Sequence, residues 1–264
     1  ERATDQVELG VHPNLLGVSE DAYASILADQ AAAFEQHYGE KAVTVRNHHL
    51  RWQGYTDMAE HQANAGFALN LDYMSLAFLG EGKLGYLNGS GFALRFIRED
   101  GGVLPIWQQG TQVDDHVLLP PRFGYEAMSV DEMIEVTQDF VDRSLSDPPH
   151  PITVNHHPAW RFETDGRWQR ALLEASRSRG VPVWNAGRWL RHQRALRDTQ
   201  IAVLGSRRLH AITGGVGVAL LVPGSVEVRV DGERTEASEI RIAGQVWTRI
   251  ELPQSKEVLI EWMQ

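Results

Sequence analysis

Apolar and polar positions change rhythm once along the chain. From about residue 200 they alternate in twos, as in SVEVRVDGERTEASEIRIAG, VWTRIEL and EVLIEW, with turn dipeptides at Asp231-Gly232 and Pro253-Gln254. Successive side chains of a strand face opposite sides, so this pattern predicts antiparallel strands. Before that point, short apolar runs take turns with longer helical segments. Strands are predicted at Gln6 to His12, Ala42 to Arg46, Phe67 to Asp72, Ile152 to Asn155 and Pro182 to Asn185. Helices are predicted at Glu20 to Tyr38, Tyr55 to Ala65, Ser129 to about Leu145, Asp165 to Arg179 and Gly187 to Arg197. Their ends carry start and stop signals. Ser19 is an N-cap, Ser129 and Glu132 have capping-box spacing, and Gly39, Gly66 and Gly180 follow last turns.

Strand-then-helix repetition predicts an α/β fold built on a parallel sheet or barrel. That region spans residues 1–198 of the 264, and a small β-sandwich-like domain is expected over 199–264. The stretch from about 80 to 124 breaks the rhythm with many glycines and two β-like runs, Gly91 to Ile97 and Val103 to Gln108. It reads as an inserted hairpin or long loop.

Composition narrows the function. The formal net charge is −10, from 25 basic and 35 acidic residues. This disfavours nucleic acid and anionic membranes as partners. The last 65 residues are almost charge-balanced, so nearly all of the excess lies before residue 200. No apolar run approaches the ~18 residues that cross a bilayer. The first twenty residues lack the basic-then-apolar layout of a signal peptide. With no cysteine, disulfides and thiolate metal sites are excluded, so any metal site must use His, Asp, Glu or water. Eleven histidines make that feasible, and two doublets stand out: His48-His49 and His156-His157.

Parallel architectures gather functional groups where strands end. The first strand ends at His12-Pro13-Asn14, and the second runs into Arg46-Asn47-His48-His49. The third reaches Asp72-Tyr73, and a late one reaches Asn155-His156-His157-Pro158. These four ends are expected to share one rim. Asp114-Asp115-His116, inside the insert, reads as a solvated loop cluster.

The order of these ends resembles the polysaccharide deacetylase superfamily, carbohydrate esterase family 4. VELGVHPN looks like its His motif, carried by His12, and TVRNHHLRWQGY like its Arg motif, carried by Arg46. FALNLDY looks like its Asp-bearing strand end, carried by Asp72. ITVNHHPAW looks like its final His motif, carried by His157, or by His156 if the register slips by one. The resemblance spans roughly residues 6 to 197. It implies an incomplete (β/α) barrel, a divalent metal such as zinc, removal of acetyl groups from an N-acetylated glycan, and an extracytoplasmic setting. It implies His157, Arg46 and Asp72 as catalytic residues, with His157 as the acid and Arg46 orienting a carboxylate base. The family's second metal histidine falls where this chain has Leu16, so His48 or His49 is expected to join His12 as metal ligand.

The family pattern opens with an Asp pair, base and ligand, at a strand end before the His motif. Here Asp5 precedes the first predicted strand. The expectation is a centre lacking that pair, with little deacetylase activity of its own. Trp52, Trp107, Trp160 and Trp184 fall in predicted loops or strand ends, where their faces suit sugar rings. Two other readings compete. One is a glycoside hydrolase using carboxylates such as Asp57, Asp72 or Asp114. The other is a non-catalytic carbohydrate-binding domain.

Overall fold

The computed structural model describes residues 8–79, 83–87, 89–118, 128–146, 149–158, 165–215, 217–242, 244–254 and 256–263. The chain divides into two compact units, residues 1–145 with 149–187 and residues 146–148 with 188–264. No helix among the described residues is long and apolar enough to cross a membrane.

The first unit is mixed α/β. Strands β1 (Thr44–Val45) and β2 (Leu69–Asn70) pair parallel, with Thr44 opposite Leu69. A separate antiparallel hairpin follows, made of β3 (Leu76–Leu79) and β4 (Lys83–Tyr86). Next come β5 (Leu94–Ile97) and β6 (Val103–Gln108), antiparallel to each other, with β6 also parallel to β2. The main sheet therefore has the order β1-β2-β6-β5. Val11 extends it by a parallel bridge to Val45, all that the described residues retain of the strand predicted at Gln6 to His12. Gln6 and Val7 lie outside them.

The expected barrel is not closed. No sheet closes among the described residues, because closure needs tilted strands staggered around a full ring and antiparallel β5 ends this row. Val103–Gln108, expected in an insert, is a strand of the main sheet. Its Leu104 and Ile106 are fully buried with Val11, Val45, Tyr23, Leu27 and Met58. The sequence shows it as a β-like run, and its parallel pairing with β2 is what places it in the main sheet. Pro182 to Asn185, read as a strand, pairs with no strand among the described residues.

Helix α1 (Tyr23–Tyr38) contributes Tyr23 and Leu27 to that core, and α2 (Asp57–Asn64) contributes Met58 and Ala59. Each fully buried Leu or Met there contributes on the order of 1.5–3 kcal/mol. Gly39 ends α1 with φ 74°, a left-handed turn that costs glycine no Cβ clash. Strands β7 (Val113–Asp114) and β8 (Val154–Asn155) form a second, two-stranded parallel pair. Between them in sequence lie the short α3 (Asp115–Leu118) and the longer α4 (Val130–Ser144), and α5 (Arg167–Ser178) follows β8. Val113, Leu118, Met133, Phe140 and Trp168 form one core under this pair. Trp168 donates its indole N–H to Thr137 Oγ1 at 3.1 Å, so burial leaves no polar orphan there.

The second unit holds most of α6 (Ala186–Asp198) and eight antiparallel strands. These are β9 (Gln200–Gly205), β10 (Arg208–Ile212), β11 (Ala219–Pro223), β12 (Glu227–Val230), β13 (Glu233–Arg234), β14 (Ser238–Ile242), β15 (Gln245–Glu251) and β16 (Glu257–Met263). Two sheets, β13-β12-β16-β10-β9 and β11-β15-β14, send Leu209, Ala211, Val222, Val228, Ile250, Val258 and Ile260 into one core. The β12–β13 turn is Asp231-Gly232, with φ 52° and 86°. Positive φ at both central residues is what a two-residue hairpin requires, hence the Asp-Gly.

The start of α4 is the best-defined cap. Ser129 Oγ accepts the Glu132 N–H at 3.2 Å, and Glu132 Oε2 accepts the Ser129 N–H at 2.7 Å. Ser129→Ala should lower stability by about 1 kcal/mol. A denaturant titration checks this: the midpoint should fall with the slope unchanged. An unshifted midpoint would show that the box does not hold the helix start.

Candidate metal centre

The parallel pairing of β7 with β8 sets Asp114 opposite Asn155, so the residues that follow each strand emerge together. From β7 come Asp114 and Asp115, which are 4% and 0% exposed. From β8 come His156 and His157. Asp114 Oδ2 accepts the Asn155 side-chain N–H at 2.7 Å. Asp115 Oδ2 accepts the His157 backbone N–H at 2.7 Å and faces His156 Nδ1 at 2.9 Å. Its Oδ1 faces His157 Nδ1 at 2.6 Å. One donor atom from each of Asp114, Asp115 and His157 lies within 4.8 Å of the others, the spacing of a cation site.

Arg46, which follows β1, reaches this cluster. Its Nη1 donates to the Leu71 carbonyl at 2.5 Å and to Thr111 Oγ1 at 2.8 Å. Its Nη2 lies 3.5 Å from Asp114 Oδ2. Burial lowers the Arg46 pKa, and the charges of Asp114, Asp72 and Asp115 oppose that shift. His12 donates from Nδ1 to the Arg46 carbonyl at 2.6 Å, which leaves the lone pair on Nε2. Its pKa is lowered, chiefly by burial and further by the charges of His48, Arg46 and His157. Burial thus disfavours the charged form of the His12 ring. His12 also lines an open groove of about 460 Å³ with Glu8, Gly10, Thr44, Arg46 and Asn185.

The donor set differs from the expected one. His48 stands edge-on to His12 at 5.4 Å between ring centres, and His49 lies 4.3 Å from His48 and is exposed. These three bring no carboxylate with them into a cation-sized group among the described residues. Asp114 and Asp115, read from the sequence as a solvated loop cluster, are buried. One signal was available: two acids directly after Val113. The glycines of the region outweighed it.

Asp72 has a different place. Its carboxylate, 3% exposed, accepts the Asn47 backbone N–H at 2.5 Å and the side-chain N–H groups of Gln62 and Asn70 at 2.8 and 2.9 Å. It pins the loop in which His49 and Leu50 take φ of 55° and 53°, a left-handed conformation costly for non-glycine residues. Burial pushes its pKa up to about 6, against the pull of those three donors and of Arg46. Trp52 packs in a ring cluster with Tyr73 and Phe96 (4.9 and 5.5 Å), on the side of the core. Trp107, 8% exposed, lies under the Arg95 guanidinium at 5.4 Å and is part of the β6 wall. Both are structural in this setting rather than open to a sugar. Trp184 is half-buried, and Trp160 lies outside the described residues.

No family model matches the chain. No curated protein matches it either. Among solved structures, it is similar to a "putative polysaccharide deacetylase" from Mycobacterium smegmatis, with 17% identity and a TM-score of 0.47. That alignment covers 69% of this chain and 60% of the other, so the chain spans less than two thirds of that protein. A GH57 branching enzyme from Thermococcus kodakaraensis aligns with 12% identity and a TM-score of 0.38, over 65% of this chain and 43% of the other.

The burial of Asp72 has a pH signature. A carboxyl whose pKa is higher folded than unfolded holds its proton more tightly in the folded state. Its contribution favours folding at low pH and is lost as pH climbs from about 4 to about 6. At ~1.4 kcal/mol per pH unit, the whole effect is on the order of 3 kcal/mol. Denaturant titrations of wild type and Asp72→Asn across pH 4 to 7 should differ in slope over that window, with the variant lacking the decline. Equal slopes would place the Asp72 carboxyl outside the titration.

Proposed function

We propose that the chain is a metal-dependent hydrolase that removes acetyl groups from an N-acetylated polysaccharide or related glycan. One observation carries the reading: a buried pair of carboxylates, Asp114 and Asp115, meets His157 at the ends of two parallel strands, with the Arg46 guanidinium held against Asp114. A buried carboxylate pair beside an imidazole favours a catalytic reading over a non-catalytic carbohydrate-binding one. Its place beside Arg46 matches the part the resemblance gives Arg46, orientation of a carboxylate.

The residues fit a divalent cation. Oxygen and nitrogen donors in this mixture suit zinc or a similar ion, and the chain has no thiolate to compete. The ion would sit at the cluster of Asp114, Asp115 and His157. When bound, such an ion lowers the pKa of a water and polarises the acyl carbonyl. The remaining steps belong to the chain's own groups. Arg46 and Asn155 keep Asp114 aimed. His12, with its Nδ1–H committed to the Arg46 carbonyl, can take a proton on Nε2 from the attacking water. It can then hand that proton to the leaving nitrogen.

The test is acetate release from an acetylated chito-oligosaccharide by metal-stripped chain, with and without added zinc or cobalt. Release should require metal and fall at least ~10²-fold in Asp114→Ala and His157→Ala. Arg46→Lys should lose at least tenfold, since one ammonium cannot bridge Leu71, Thr111 and Asp114 at once. New reducing ends without acetate would instead favour a glycoside hydrolase. Metal-independent turnover would overturn the proposal.

A further inference from the structure

Asp114, Asp115 and His157 do not stand equally to an ion. Asp115 is wholly buried, and both of its oxygens already meet N–H groups. The His157 backbone N–H and His156 Nδ1 converge on Oδ2, and His157 Nδ1 meets Oδ1. An ionised carboxylate only accepts hydrogen bonds, so each imidazole that faces it must carry its proton on Nδ1. With the proton there, Nε2 is the nitrogen of His157 that has a lone pair for an ion or a proton. The Gln169 amide sits 3.0 Å from His156 Nδ1, and with its oxygen turned inward it shares the same N–H.

We propose that Asp115 is the positioning residue of the centre and not one of the groups that touch the ion. Anchored at Oδ2 by His156 and the His157 backbone, it uses Oδ1 to fix the tautomer and aim of His157. His156 acts one step further out, as the buttress that keeps Asp115 turned the right way. The direct hold then falls on Asp114 and on His157 through Nε2. This rests on the cluster being a metal centre, and it deepens that reading by dividing the cluster's labour. Carboxylates that orient a ligating imidazole through its other nitrogen are a general device. Their loss costs about 10–100-fold in metal affinity, where loss of a ligand abolishes binding.

Two measurements on the full chain test it. The first uses metal-free protein labelled with ¹⁵N in its histidines, and reads each ring's tautomer from long-range ¹H–¹⁵N correlations. Signals are assigned with His156→Asn and His157→Asn. Both histidines should be protonated at Nδ1. On adding zinc, the His157 Nε2 resonance should move while its Nδ1 keeps its proton. An Nε2–H tautomer for His157 in the metal-free chain, or zinc bound at its Nδ1, overturns the proposal. The second is zinc binding by calorimetry. Asp115→Asn should still bind one zinc, about 10–100-fold more weakly, while Asp114→Asn and His157→Ala bind none. His156→Ala should weaken binding and His156→Asn, which keeps an N–H in that place, should restore it. Loss of zinc by Asp115→Asn as complete as that by Asp114→Asn overturns the division of labour. Should the wild-type chain bind no zinc, the metal-centre reading falls, and the metal-free tautomers alone decide whether Asp115 clamps the two imidazoles.

Discussion

A single guanidinium ties together chain segments that share no continuous sheet. Arg46 leaves the end of β1, donates to the carbonyl that follows β2 and to Thr111 just before β7, and turns its last nitrogen toward Asp114. Among the described residues β7 and β8 form a ladder only with each other, and the pair is tied to the segment after β2 by the Met74–Thr111 bridge, by these side-chain bonds and by the apolar core beneath. A mostly buried cation is expensive to desolvate and is retained only where acceptors and negative charge surround it. Here two oxygens and Asp114 do so. Arg46 in turn offers its own carbonyl to His12, so the imidazole that lines the groove is placed by the same residue.

The Asp72 network does comparable work one layer down. Its three donors hold the start of the His48-His49 loop, and the left-handed residues in that loop are affordable because their neighbours are fixed. Asp72 is thus a support for the loop that carries Arg46, and not a wall of the candidate centre. A histidine doublet beside a strained turn looks like a ligand pair in the sequence. In the fold His48 packs on His12 and His49 faces solvent.

Much of the fold was legible because local chemistry agreed with it. Glycines at 39, 66 and 180 stop helices, Ser129 and Glu132 start one, and Asp231-Gly232 turns a hairpin. What escaped notice was decided by partners distant in sequence. β6 stands out as a β-like run, but its place in the main sheet is set by its parallel partner β2. Asp114 and Asp115 sit among glycines and carry no periodic signal. Their burial follows from pairing β7 with a strand some forty residues later. His12, Arg46 and His157 could be picked out as residues at strand ends. The carboxylates that complete the cluster could not, because the expected motif order looked for them before His12.

β7 and β8 meet over only two residue pairs, Val113 with Val154 and Asp114 with Asn155. So short a ladder leaves chain length to decide where the imidazoles arrive. Removing one residue between Val154 and His157 would take the His157 ring and its backbone N–H away from the two Asp115 oxygens they meet. Descendants of this chain should therefore differ freely in the number of residues in surface loops. The Asp114-Asp115 and Asn155-His156-His157 runs should admit neither an insertion nor a deletion.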